Sequence, residues 1–422
     1  MHYLCVCPFF CYLRFVNQFF ISLFALCTAV SVTAQPCDYT QKKYNVRQEL
    51  RTVYGVAKSY GNGTDTLFID IYKPVGDNNT LRPMILFIHG GGFSGGNYKD
   101  VTNQAKAFAQ RGYVAATASY RLGFFRPVIP DQYPWALDKA EPERAAYRAM
   151  QDIKGAVRYL KGRNKADSAD VLNFFIGGFS AGAITSLNVA FVNDNKFRPA
   201  SCDSINSVVY QGINYKRPAL GSVDGTLHLN GHNTSVRGVL NYFGAVADTA
   251  VLETARPAVF NYHQLGDPVV PAGINRPFYG IGLGISDNWP MLYGSTIISR
   301  RLKALGYTGN SLRNRIISGN VHDVDNPALM DTMTANWASS VICSPNTAVA
   351  NIALQKPYRL QIEHDKTYLI TREAGSWEFF DLSGRKFHQV KTESEFRTEI
   401  TRTPCVIRYQ TKSGEGSFLC NP

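Results

Sequence analysis

The stretch Asn173-Phe-Phe-Ile-Gly-Gly-Phe-Ser-Ala-Gly-Ala-Ile-Thr185 constrains this chain more than any other. Its apolar, aromatic opening reads as a buried strand. Ala183 to Ala190 can form a helix. Between them, Gly178-Phe179-Ser180-Ala181-Gly182 is G-x-S-x-G in the strand-to-helix context that the pattern requires. Such a turn puts Ser180 at the tip of a sharp, strained bend, with its hydroxyl clear of the backbone at the start of a helix. Gly178 and Gly182 flank it because a Cβ at either position would collide across the bend. The pentapeptide is short and glycine is common, at 35 residues. The rival reading is a glycine-rich turn with an idle serine. The flanking strand and helix favour a nucleophile.

The remaining chain alternates strand-like and helix-like segments from Val46 onward. Thr66–Tyr72 alternates apolar and polar residues and reads as an antiparallel edge strand. Arg82–Ile88 is a continuous apolar run, as in a strand covered on both faces, and leads into His89-Gly90-Gly91-Gly92-Phe93. Val101–Arg111 reads as a helix closed by Gly112, and Tyr113–Ser119 as the next buried strand. A proline- and aromatic-rich loop occupies residues 124–140. A long helix opens at Pro142 and runs to Gly162, with Ala146, Met150, Ile153, Val157 and Leu160 on one stripe. Beyond the serine turn, Val236–Phe243, Ala258–Leu265 and Arg315–Ser318 are strand candidates, and Thr296–Leu305 a helix. Residues 212–235 and 268–292 are glycine-rich loops, candidates for a lid. This alternation predicts an α/β fold with a mostly parallel sheet and helices on both faces. Ligands of such sheets bind beyond the carboxyl ends of the strands. Gly90–Phe93, Ser180, Gly266-Asp267 and His322 all fall at such ends.

The 422 residues leave room for more than one domain. Residues 1–34 read as a signal peptide: Phe19–Val30 is an apolar core too short to span a bilayer comfortably, and Val32-Thr33-Ala34 offers the small residues of a cleavage site before Gln35. Residues 35–343 form the expected catalytic domain. After Ser344-Pro345-Asn346-Thr347, a linker by composition, residues 344–422 carry short alternating runs at Tyr358–Ile362, Thr367–Ile370, Trp377–Leu382 and Val406–Tyr409. Turns at Ser383-Gly384 and Ser413-Gly414 punctuate these runs, which predict a small β-sandwich. Five of the nine cysteines follow the signal segment, namely Cys37, Cys202, Cys343, Cys405 and Cys420. Their pairing is open, although Cys405 and Cys420 flank a candidate hairpin. No His or Cys cluster has metal-ligand spacing, so neither metal nor cofactor is expected. The net charge is +12, of which only Arg14 lies in the signal segment, leaving +11. No basic run is interleaved with aromatics, which argues against nucleic acid as a partner.

A serine hydroxyl needs a base, and that base needs an orienting acid. His322, in Gly319-Asn-Val-His-Asp323 after the last strand, is the candidate base. His89, His228, His232 and His263 are the other histidines in the domain. Asp267, directly after a strand, is the candidate acid, with Asp248 and Glu253 as rivals. The developing oxyanion needs unobstructed backbone N–H donors. Ala181 offers one, and Gly91 and Gly92 the others. His89 reads as a structural pin for that loop rather than a base.

Taken together, His89-Gly-Gly-Gly-Phe93, Ser119-Tyr-Arg-Leu-Gly123 and Gly178-Phe-Ser-Ala-Gly182 resemble the α/β-hydrolase superfamily, and within it the carboxylesterase and hormone-sensitive-lipase-like esterases. Asp70-Ile-Tyr-Lys-Pro74 is similar to the segment before the oxyanion loop in that group. The resemblance covers residues 46–343. It implies Ser180 as nucleophile, Asp267 as acid and His322 as base, in the chain order that fold uses. Phe179 departs from it, since the family often has Glu or Asp there. Trp377-Glu-Phe-Phe-Asp-Leu-Ser-Gly-Arg-Lys-Phe387 resembles the type IX secretion sorting domain of Bacteroidota, over residues 350–422. That likeness implies the secretion machinery as a partner, although the usual lysine-rich end is missing. The rival for this region is a carbohydrate-binding or stabilising module.

The expectation is therefore a secreted or cell-surface serine esterase acting on short-chain carboxylic esters, with acetyl or feruloyl esters on carbohydrate among the candidates. The alternatives are an amidase or peptidase on the same three residues, and a catalytically idle binding or adhesion protein on this scaffold.

Overall fold

A computed structural model describes residues 37–127 and 134–344, and then 358–363, 366–371, 375–381, 385–392, 396–399, 405–411 and 414–420. The expected signal peptide, the linker at 345–347, the turn at Ser383-Gly384, Ser413 and part of the 124–140 loop lie outside the described residues. The chain divides into a leading unit, Met1–Asp38, and the unit Tyr39–Pro422, which holds every element below.

Eight strands form one sheet: β1 (Asn45–Lys58), β2 (Thr64–Val75), β3 (Arg82–Ile88), β4 (Val114–Ala118), β5 (Ala169–Phe179), β6 (Gly238–Tyr242), β7 (Ala258–Gln264) and β8 (Leu312–Ile317). Their order is β1-β2-β4-β3-β5-β6-β7-β8. The first two pairings, β1–β2 and β2–β4, are antiparallel and the other five parallel. This is the strand order of the α/β-hydrolase fold. The edge assignment from sequence needs correction. Thr66–Tyr72 lies inside the sheet, and the unforeseen β1 covers it. Strand β1 escapes a periodicity reading because it is an outer strand rich in charge, with Leu50, Val53 and Val56 exposed and register shifts after Glu49 and Val53. Such irregularity is common on edges, where it discourages further pairing.

Among the described residues, five helices of eight residues or more cover the sheet: α1 (Thr102–Ala109), α2 (Ala140–Gly162), α3 (Ala181–Phe191), α4 (Ser295–Ala304) and α5 (Pro327–Cys343). The last was not foreseen. Its sequence does carry a start signal, since Asn326 caps the Leu329 amide and proline follows at the first helical position. The sheet separates two apolar clusters, one under α2 and α3 and one under α1 and α5.

Helix α2 begins two residues before Pro142, and its expected stripe packs in the first of these clusters. Its opposite side is buried as well, although it carries Arg144, Gln151, Lys154, Arg158 and Lys161. The chain from Val192 to Ser235 lies over it and supplies acceptors. Arg144 donates to the carbonyls of Ser201, Asp203 and Pro218, Gln151 to Leu220 and Ser222, Lys154 to Val192, Arg158 to Asp224 and Leu227, and Lys161 to Ser235. Burial pushes the Lys161 ammonium down to about 8. Residues 212–235 are therefore a strap bound to α2 rather than a lid.

Beyond residue 344 two antiparallel sheets are present. One joins Tyr358–Glu363, Lys366–Thr371 and Phe396–Glu399; the other joins Lys386–Thr392, Gly375–Phe380, Cys405–Thr411 and Gly414–Cys420. Leu369 of the first shares an apolar cluster with Trp377, Phe379 and Ile407 of the second. Cys405 and Cys420 are partners in strand register. Cys37 and Cys343 are each disulfide-bonded, and Cys202 is a buried free thiol.

Gly178 sits opposite Ile88 in the β3–β5 register. A Cβ on Gly178 would lie 2.4 Å from the Gly182 carbonyl carbon, and one on Gly182 would lie 2.2 Å from the Ile88 oxygen. Gly182→Ala should cost about 2 kcal/mol or more, as an overpacked site does. An unchanged urea midpoint would contradict this packing.

Candidate active site

Ser180 occupies a strained backbone position, with φ 55° and ψ −121°. A non-glycine residue there costs free energy that the surrounding structure must supply. Here the Ser180 N–H donates to the Tyr242 carbonyl at 3.0 Å, and the Ser180 carbonyl accepts from Ala183 and Ile184 at 2.9 and 3.0 Å. The turn is thus fixed on one side by β6 and on the other by the first turn of α3.

His322 and Asp267 come from the loops after β8 and β7. Parallel pairing of these strands brings the loops side by side. The Gly266 N–H donates to the Gly319 carbonyl at 2.7 Å, and the Val321 N–H to Gln264 Oε1 at 3.1 Å. His322 Nε2 lies 2.8 Å from Ser180 Oγ, and its Nδ1 lies 2.7 Å from Asp267 Oδ2. Phe243 packs edge-on against the imidazole, with ring centres 4.7 Å apart. Phe179, the departure from the family pattern, stacks on Tyr242 at 4.4 Å. It joins this aromatic wall.

Asp267 is fully buried. Burial alone would raise its carboxyl, but hydrogen bonds from His263, His322 and the Val269 amide outweigh it and hold the group at about 2. The Val269 and Val270 amides donate to Oδ1 at 2.8 and 3.1 Å. The rival carboxylates serve elsewhere. Asp248 caps a short helix through the Ala250 amide, and Glu253 pairs with Arg301.

The glycine loop after β3 adopts positive φ at Gly91 (111°) and Gly92 (56°). A Cβ on Gly91 would lie 2.2 Å from the Gly95 oxygen. His89 is buried and stacks on Tyr120 at 4.5 Å, and the Tyr120 hydroxyl donates to the His89 carbonyl at 3.0 Å. Arg121, next in the Ser119–Gly123 motif, grips Asp152 of α2. These residues hold the loop's shape, so His89 stands as a pin. Gly92 and Ala181 line the same cleft as Ser180; Gly91 lies just outside that lining. Ala181 is the first residue of α3, where an N–H has no intrahelical acceptor. Among the described residues, no backbone acceptor takes the Gly91 or Gly92 N–H.

From Ser180 the cleft runs between α2, α3 and the segment 269–292. Its walls are apolar, with Phe93, Met150, Ile184, Phe197, Phe278 and Trp289 among them, and Glu143, Asn188 and Asp248 as its main polar members. Of the two candidate lids, only 268–292 reaches this cleft. No group of metal-ligating side chains is present among the described residues.

Residues 29–126 match the model of the Carboxylesterase family. That stretch holds the glycine loop and the Ser119–Gly123 motif, and stops short of Ser180. Fumonisin B1 esterase of Sphingopyxis macrogoltabida is 26% identical over 163 residues, which is 38% of this chain and 28% of that protein. The neuroligin-like protein glit-1 of Caenorhabditis elegans is 30% identical over 121 residues, 28% of this chain and 15% of that protein. The chain thus spans less than a third of the length of these curated relatives. Among solved structures, Thermogutta terrifontis esterase 2 superposes with a TM-score of 0.42 at 18% identity, covering 68% of this chain and 91% of that one. A truncated carbohydrate esterase from gut microbiota gives 0.42 at 15%, covering 71% and 98%. The strand order, rather than these superpositions, carries the fold.

The depressed Asp267 carboxyl makes stability depend on pH. Its folded value lies below its unfolded one, so the stabilisation is complete above the ordinary carboxylate range and disappears as pH falls toward about 2. Wild type should lose about 2 kcal/mol across that window, a loss absent from Asp267→Asn. Parallel acid-unfolding curves for the two proteins would contradict the assignment.

Proposed function

We propose that this protein is an exported serine esterase in which Ser180, His322 and Asp267 form the catalytic triad. The observation that carries the reading is the unbroken contact from the Ser180 hydroxyl through the His322 ring to the Asp267 carboxylate. The family match and the esterase among the relatives support carboxylic esters as the substrate class.

In this reading His322 Nε2 takes the Ser180 proton as Oγ attacks the ester carbonyl. Asp267 stabilises the imidazolium and fixes the ring. The tetrahedral oxyanion rests on the N–H groups of Ala181, Gly92 and Gly91. The proton on Nε2 then passes to the departing alcohol and leaves an acyl-serine. Water, deprotonated by the same nitrogen, releases the acid and restores Ser180.

Residues 1–34 serve as the export signal, 35–343 as the catalytic domain and 344–422 as a sorting-type module handled by the secretion machinery. Disulfide-bonded Cys37 and Cys343 support an oxidising destination. The apolar cleft supports short acyl chains that gain by burial, with a small or aromatic acyl group borne on an alcohol such as a sugar.

Ser180→Ala should abolish p-nitrophenyl acetate hydrolysis and fluorophosphonate labelling while the folded state persists by circular dichroism. Retained turnover or labelling would overturn the reading. A panel of matched amides separates an amidase from an esterase. Within the ester series, kcat/KM should rise roughly tenfold from acetate to butyrate, as two methylenes enter the cleft; a flat series would show that the acyl chain does not occupy it.

A further inference from the structure

A buried polar chain stands behind Asp267 and reaches it through His263. Asn241, Asn261 and Asn314 occupy matched register positions on β6, β7 and β8. Asn241 Nδ2 donates to Asn261 Oδ1 at 2.8 Å, and Asn261 Nδ2 to Asn314 Oδ1 at 2.9 Å. The Gly244 N–H, which can only donate, points at Asn241 Oδ1 at 2.9 Å. That fixes which end of the Asn241 amide is which. Asn241 Nδ2 therefore also donates to Ser295 Oγ, at 3.2 Å. The Ser295 hydroxyl proton is left for His263 Nδ1, 2.8 Å away.

His263 then carries its own proton on Nε2. The far side of the ring requires the same tautomer, because Nε2 faces the Val270 carbonyl at 3.0 Å, and a carbonyl only accepts. The same Nε2 lies 3.4 Å from Asp267 Oδ2, the oxygen that also takes the His322 N–H at 2.7 Å. His263, Asn241, Asn261 and Asp267 are all fully buried. From Asn241 through Ser295 to His263 the donors run toward the carboxylate, whereas Asn241 to Asn261 to Asn314 runs away from it and holds the Asn241 amide in place.

Resting on the triad reading above, we propose that His263 is a positioning residue that acts through Asp267, its tautomer set by Ser295 and the asparagine ladder. It holds Oδ2 in line with His322 Nδ1 and keeps the carboxylate anionic in a fully buried site. No proton passes through His263 in turnover. Second partners of this kind, on a group that itself orients the base, are where small displacements become large rate losses.

Three variants and two readouts test this. His263→Phe fills the ring's place and removes both hydrogen bonds. His263→Gln keeps an N–H donor toward Asp267 and an acceptor for Ser295. On p-nitrophenyl acetate, His263→Phe should lose about tenfold or more in kcat with KM within about twofold, and His263→Gln should recover most of it. Ser295→Ala, which releases the tautomer, should lose a few fold and stands in if His263→Phe does not fold. The second readout is the downfield proton resonance of the His322–Asp267 hydrogen bond, recorded in a Ser180→Ala background. It should weaken or shift in His263→Phe and persist in His263→Gln. Wild-type kcat with an unmoved resonance in His263→Phe would overturn the proposal. So would equal losses in His263→Phe and His263→Gln that track only their melting temperatures. Because the resonance does not require turnover, failure of the esterase reading and failure of this inference remain distinguishable.

Discussion

The approach of two glycines to the end of one strand is the constraint on which the site depends. Gly178 and Gly182 let the serine turn close against the Ile88 carbonyl, with no room for a Cβ at either place. Ile88 is also the last residue of β3, from which the glycine loop departs. One contact therefore sets the distance between the hydroxyl that would attack and the amides that would receive the resulting charge. Hydrogen-bond geometry at such a centre tolerates displacements of only a fraction of an ångström. Backbone packing between strand ends is a stiffer ruler than any pair of side chains.

The electrostatics follow the same economy. Asp267 is stripped of water, which by itself would favour its neutral form. It nonetheless stays anionic because two amides and two imidazoles surround it. Desolvation then becomes useful, since an unhydrated carboxylate acts on His322 through a low local dielectric. The glycine loop needs no charge of its own. Its shape is held by the His89–Tyr120 stack and by Arg121 gripping Asp152, so that motifs distant in sequence serve one local geometry.

Much of this was legible in the residues. Arg82–Ile88 matched its strand to the residue, because an uninterrupted apolar run bounded by Pro83 and His89 admits few alternatives. The serine turn was readable because its glycines answer a steric demand rather than a preference. The acid after β7 was harder to choose. Asp248, Glu253 and Asp267 all follow strands, and only three-dimensional register shows which one meets an imidazole. Strand β1 was invisible because an edge carries little periodicity. The role of His263 was invisible because nothing in a linear chain announces that a histidine four residues before an aspartate turns back onto it.

The strap over α2 changes how that part of the molecule can vary. Its carbonyls are acceptors for Arg144, Arg158 and Lys161, and its Asp224 carboxylate pairs with Lys154, so an apparently free surface segment is the solvent for a helix. Exchanging it for a loop of different path would strand those cations without partners, and exchanging the helix alone would leave the carbonyls idle. The two segments form one inheritable unit, and grafts that respect domain boundaries but cut between them would fail for electrostatic reasons, however well the apolar stripe still packed.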